Sequence, residues 1–215
     1  MRIIKAPPSC GDSERGYALV SLLALMSLLA LFALAVAPRV QQQTQREWEK
    51  EAIFRGDQVS EAIRAYYRSR GSQGVNALPT SMDQLLEGVQ VPGRTKRLQI
   101  LRPSAATDPL SSDGEWRLIG PTSQDFLGFV QSLTVYTGGV PPVARQEFAG
   151  LATLMPRITS GLDGEPPGTT LGGGSSSSDT SGPFIGVASS SQRDSVISFY
   201  GIERHDEWIF TPMFR

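Results

Sequence analysis

Residues 15–38 read RGYALVSLLALMSLLALFALAVAP, and the organisation of the whole chain follows from this stretch. Residues 17–37 carry no charge, and of these 21 residues eight are Leu and six are Ala. As a helix rising about 1.5 Å per residue the run is roughly 31 Å long, close to the hydrocarbon thickness of a bilayer. A charged stretch stands before it and a polar, helix-prone segment follows it. Length and absence of charge predict one membrane span, which begins at Gly16.

Three other readings of the run fail. A secretory signal peptide has an apolar region of about 7–15 residues and a small-residue cleavage site after it. Ala35-Val36-Ala37 offers such a site, but the run is too long and Pro38 would follow the scissile bond, where its ring restrains both itself and its neighbour. A lipoprotein needs a cysteine after the apolar run, whereas the only cysteine, Cys10, precedes it. A buried helix of a soluble domain of this length would show a polar face, and this one has none.

Charge orients the span only weakly. Arg2, Lys5 and Arg15 stand against Asp12 and Glu14 on one side, and Arg39, Arg46 and Lys50 lie close on the other. A short leading segment and a large following domain favour export of the domain. Beyond residue 16 there is no cysteine, which suits an oxidising compartment and excludes disulfide staples and thiolate metal sites. Twenty Lys+Arg balance 21 Asp+Glu, a net charge of −1 that provides no basic footprint for nucleic acid. Residues 38–215 suffice for one domain with a modest core.

Between Arg39 and Arg70 there is no proline and a single glycine, Gly56. Ala52, Ile53, Val59, Ala62, Ile63, Tyr66 and Tyr67 recur at threes and fours, one apolar stripe of an amphipathic helix. Glu51 with Arg55 and Glu61 with Arg64 are spaced for ion pairs along it. Residues 41–46 are polar all round and link span to domain as the middle of one continuous helix. Pro38 is expected to kink that helix, and Gly71 and Gly74 to end it. Ser81 and Gln84 read as a capping box before a short helix over 82–87, closed by Gly88.

Strand-like runs lie at 96–102, 115–119, 184–188, 196–200 and 207–210; residues 126–136 suit helix or strand equally. In 160–183, sixteen of 24 residues are Gly, Ser or Pro, the composition of a flexible insertion. The expected fold class is α+β: a long N-terminal helix, membrane-spanning in its first half, packed on a small antiparallel sheet. The expected segments are 1–16 as leader, 17–37 as transmembrane and assembly helix, 38–70 as its amphipathic continuation and 71–215 as exported domain.

Gly16, an uncharged apolar segment, proline at the twenty-second position counted from Tyr17, a continuing amphipathic helix and a β-containing domain together resemble the type IV pilin-like proteins. Within them the chain is most similar to the pseudopilins of type II secretion systems. Residues 46–56, ending in Arg55-Gly56, are similar to the charged segment of a pseudopilin-like subgroup. Asp108-Pro109 with Gly114-Glu115-Trp116, Gly186-Val187-Ala188-Ser189, Tyr200-Gly201 and Glu207-Trp208 fit that subgroup too. The resemblance implies a pilin-like fold and cleavage between Gly16 and Tyr17 by a prepilin peptidase, with methylation of the new amine. It also implies assembly with other pilin or pseudopilin subunits on an inner-membrane platform, the domain lying in the periplasm. Pro38 and the fifth mature position are the assembly positions. That fifth position, usually glutamate in the family, is Ser21 here, which cannot pair with a neighbour's amine and points to a minor subunit.

No catalytic constellation emerges, and neither cofactor nor metal is expected. His205, the only histidine, reads as a structural residue at the surface or a strand end near Asp206. Asp108 reads as a turn residue before Pro109. Asp163, Glu165 and Asp179 are scattered acids, too few for the 6–8 oxygens that calcium takes. Residues 172–174 lack the lysine of a phosphate loop. Trp48, Tyr66 and Tyr67 read as core or interface aromatics. Two further readings compete with the filament subunit: a binding module anchored by an uncleaved span, which does not require Arg15-Gly16-Tyr17 at the edge of the run, and an anchored periplasmic enzyme, disfavoured by the missing catalytic group.

Overall fold

The apolar run and the amphipathic stripe fall in one helix, α1 (Ser13–Arg70), which ends where Gly71 takes φ +61°. The computed structural model describes residues 13–71, 74–91, 93, 96–152 and 182–214, without the side chains of 13–15 and 33–40. Residues 160–181 of the expected insertion 160–183, its three acids and most of the leader lie outside these residues. The chain divides into two compact units, Met1–Gln45 and Arg46–Arg215.

In the second unit the stripe of α1 is buried: Ala52, Val59, Ala62, Ile63, Tyr66 and Tyr67 all face the core. Both expected ion pairs form along the helix, Glu51 with Arg55 at 2.7 Å and Glu61 with Arg64 at 3.4 Å. Trp48, expected in a core or interface, is half exposed at 51%.

Three short strands, β1 (Arg117–Ile119), β2 (Gly186–Ala188) and β5 (Ile209–Phe210), form an antiparallel sheet in the order β1-β2-β5. The register pairs Leu118 with Val187 and Val187 with Phe210. A separate hairpin joins β3 (Asp194–Phe199) to β4 (Ile202–Arg204). Its two-residue turn is Tyr200-Gly201, at φ +51° and +79°, the left-handed pair that matches strand twist in a type I′ connection. The fold is thus α+β, with two small antiparallel sheets where one was expected.

Gly56 is where helix and sheet meet most closely. A Cβ there would sit 2.3 Å from Cγ of Phe210, so only glycine admits the ring against the helix backbone. Phe210 in turn meets Trp116 and Phe199 at ring-centroid distances of 5.8 and 5.3 Å. Three further helices close the core: α2 (Met82–Glu87), α3 (Gln124–Tyr136) and the short α4 (Ala149–Ala152). Residues 126–136 are helical because Ser123 caps the start, its Oγ accepting from Phe126 N at 3.3 Å, and Phe126, Phe129, Val130 and Leu133 line one face. The segment before α4 is held to α1 by a two-pronged contact, Arg64 Nη2 and Nε to Glu147 at 2.7 and 3.1 Å, with Tyr67 and Phe148 rings 4.8 Å apart.

Two local expectations fail. Residues 96–102 form no strand; Leu98 makes a single antiparallel bridge with Val89, next to Gly88, whose missing Cβ leaves room for the Leu98 carbonyl. The capping box at α2 is shifted by one residue. Ser81 stands at the cap without a side-chain bond, while Gln84 Oε1 accepts from Thr80 N and Gln84 Nε2 donates to Thr80 Oγ1.

Candidate functional site

The expected processing and assembly positions lie on α1. Gly16 is inside the helix, and among the described residues a Cβ there would meet nothing within 4 Å. Tyr17 is 79% exposed. Leu19, Val20, Leu22, Leu23, Leu25, Met26, Leu28, Leu29, Leu31 and Phe32 are all more than half exposed. At 3.6 residues per turn these positions leave no polar stripe. The two serine hydroxyls in the run are spent on the helix itself: Ser21 Oγ donates to Ala18 O at 2.9 Å and Ser27 Oγ to Leu23 O at 2.8 Å. Ser21 therefore demands no partner. Pro38 lies within α1, but its side chain and the kink expected there are outside what is described.

Among the described residues no helix is long and apolar enough to cross a membrane. The described side chains of the run stop at residue 32, and positions 33–37 fall outside them.

The domain holds a polar cluster that sequence reading did not assemble. Glu49 has no exposed surface although it lies in a charged segment. Its Oε1 accepts from Val196 N and its Oε2 from Ile197 N, both at 2.8 Å, and His205 Nε2 lies 3.0 Å from Oε1. With Glu49 as a carboxylate, which only accepts, the contact is made by the His205 tautomer or imidazolium that carries a proton on Nε2. The other ring nitrogen, Nδ1, is 3.5 Å from Ser191 Oγ. His205 is thus at a strand end as expected, but it is 2% exposed and not a surface residue. The reason is its partner: burial of imidazole is tolerable where a buried carboxylate and the Trp208 ring, 5.0 Å away edge-on, receive it. The signal in the sequence was spacing, since Glu49 stands three residues before Ala52, in register with the apolar stripe.

A second buried carboxyl belongs to Asp108. Its Oδ1 accepts from Leu110 N at 2.9 Å, the turn role expected, and its Oδ2 accepts from Ser189 Oγ at 2.7 Å, tying the turn to the end of β2. Burial pushes this carboxyl above its ordinary range, and the Ser189 hydroxyl and the Leu110 N–H pull it part of the way back. Glu147 is shifted the other way, held low by the Arg64 hydrogen bonds.

A groove of about 460 Å³ opens between α1, the end of α3 and the hairpin turn. Phe129, Tyr136, Val143, Phe199, Tyr200 and Phe214 line it, with Asp57 and Glu61 along one wall. Among the described residues no group of three or more His, Cys, Asp or Glu is arranged to hold a metal ion. Comparisons with protein-family models, with characterised proteins and with solved structures find no match to this chain.

Proposed function

We propose that this chain is a structural, non-enzymatic subunit of a type II secretion or type IV pilus-like apparatus. In this reading a prepilin peptidase cuts between Gly16 and Tyr17 and methylates Tyr17. Residues 17–37 then anchor the subunit in the inner membrane and pass into a filament core, with the α+β domain in the periplasm. One observation carries the reading: a charge-free run, exposed and apolar on all sides over residues 17–32, lies in the helix whose later stripe builds the core of an α+β domain. Exposed apolar surface on that scale marks a membrane or protein partner. Both of its serine hydroxyls are satisfied by the helix backbone, the condition that lipid or a neighbouring apolar helix imposes. Gly16 supports the processing step, because no packing contact among the described residues gives another reason for glycine there.

The occupant of the fifth mature position, Ser21, supports a minor role. Its hydroxyl is committed to Ala18 O and offers no charge to a neighbouring amine. The deciding experiment is mass spectrometry of the mature N-terminus. An N-methylated Tyr17 is expected, and Gly16→Leu should leave the leader attached; an intact Met1 on membrane-inserted wild-type protein would sink the proposal in favour of an uncleaved anchor.

A further inference from the structure

Regular pairing in the β3–β4 hairpin would carry Phe199↔Ile202 on to residue 197 facing Arg204, yet Arg204 faces Asp194. Four residues of β3, 195–198, therefore stand against the single residue 203 of β4, so three of them are extra to the ladder, a bulge that strands backbone groups. Two of the stranded donors, the consecutive N–H groups of Val196 and Ile197, point the same way and hold the two oxygens of one carboxylate. His205 Nε2 adds a third donor to the same group. Successive N–H groups converging on one anion make a concavity with fixed partial positive charge.

We propose that the bulge of β3 and His205 form a carboxylate-binding nest, filled in this chain by Glu49, and that filling it docks the β3–β4 hairpin on α1. The inference is independent of the filament reading. All the donors of the nest come from residues 196–205, whereas Glu49 is 147 residues or more away in sequence, so the nest is built without its ligand. Other bonds hold its shape. The Tyr200-Gly201 turn sets the hairpin, His205 N donates to Arg193 O at 3.2 Å, and Trp208 Nε1 donates to Ile202 O at 3.2 Å. Arg204 pairs with Asp206 at 2.8 Å beside it. A site preorganised in this way binds carboxylates as a class, and Glu49 is its tethered occupant.

The test is chemical rescue in the full chain in detergent. Glu49→Ala should lower the unfolding midpoint, and sodium formate should raise it again in a saturable manner, where sodium chloride of equal ionic strength does not. If formate binds the vacated nest with a Kd of about 10 mM, 200 mM should multiply the folding equilibrium constant about twentyfold. Wild-type protein should show no such effect, and Glu49→Ala with His205→Ala should show a weaker one. A folded Glu49→Ala protein that responds to formate only as it does to chloride overturns the proposal. If Glu49→Ala does not fold, Glu49→Gln decides, since an amide sets a donor against one of the two N–H groups. Amide exchange at Val196 and Ile197 should then rise at least tenfold over wild type, with β1, β2 and β5 unchanged. Equal rates at those two amides would overturn the nest.

Discussion

Replacing Gly56 by alanine should destabilise the domain, against the rule that alanine is the better helix former. A Cβ at position 56 would lie 2.3, 2.4 and 2.6 Å from three atoms of the Phe210 ring, where carbon atoms normally rest at about 3.5–4.0 Å. Relief requires the ring to retreat by about 1 Å or more. Trp116 and Phe199 flank it, and its backbone is paired with β2, so retreat means moving the sheet. Overpacking of this kind costs about 1–3 kcal/mol, and the constraint places this case at the upper end. Alanine returns about 1 kcal/mol of helix propensity, leaving a net loss of about 2 kcal/mol. For a domain of this size that is a fall of about 4–8 °C in Tm. Urea and thermal melts of a fragment starting at residue 41 measure it. Gly128 is the internal control, being inside α3 with nothing within 4 Å of its Cβ position; Gly128→Ala should stabilise by up to about 1 kcal/mol. Adding Phe210→Leu to Gly56→Ala should show coupling of at least about 1 kcal/mol. A neutral or stabilising Gly56→Ala would refute the close approach of helix and sheet.

Asp108→Asn should change the pH profile. Because burial raises the folded-state value of Asp108, its contribution is fully present below the unfolded value of about 3.9 and is lost as pH rises through the folded value. The variant does not titrate there, so relative to wild type it should gain stability as pH rises above about 4, by no more than about 1.4 kcal/mol per pH unit; parallel urea midpoints as pH rises would contradict this. Ser195 Oγ is buried with no hydrogen-bond partner among the described residues, so Ser195→Ala should be neutral or stabilising, and a loss above about 1 kcal/mol in urea melts would reveal a bond that matters. Ser21→Glu should not increase the filament-bound fraction measured by shearing and immunoblot at matched expression, because a new carboxylate would enter lipid with no amine waiting; a clear increase would argue for a major subunit.

What was legible in the sequence was whatever local periodicity encodes. The stripe from Ala52 to Tyr67, the helix at Met82–Glu87 and the Gly71 stop all follow from spacing and from the chemistry of glycine. Residues 96–102 misled because β-branched and aliphatic composition is satisfied equally by a single bridge, and no sequence pattern reports whether a partner strand arrives. Strand β4 went unread since three residues, Ile202–Arg204, are too few to show alternation. The buried polar cluster was hidden for another reason. Glu49 sits among Arg46, Glu47, Lys50 and Glu51, which are exposed or partly so, and its difference from them is set by contacts made across the domain. A tertiary partner, not a neighbour in sequence, decides which charge goes inside.

The contacts that lock α1 to the hairpin span 147, 148 and 156 residues of chain. Closure of loops that long makes folding slow, because the ordering must precede the contacts that reward it. At about 5–20 residues per second, synthesis from Glu49 to His205 takes on the order of ten to thirty seconds. Throughout that interval the stripe of Ala52, Val59, Ile63 and Tyr66 has no sheet to cover it. The domain is therefore a late folder by construction. Its helix is made long before the hairpin that covers it, and in that interval the exposed apolar stripe is open to non-native contacts.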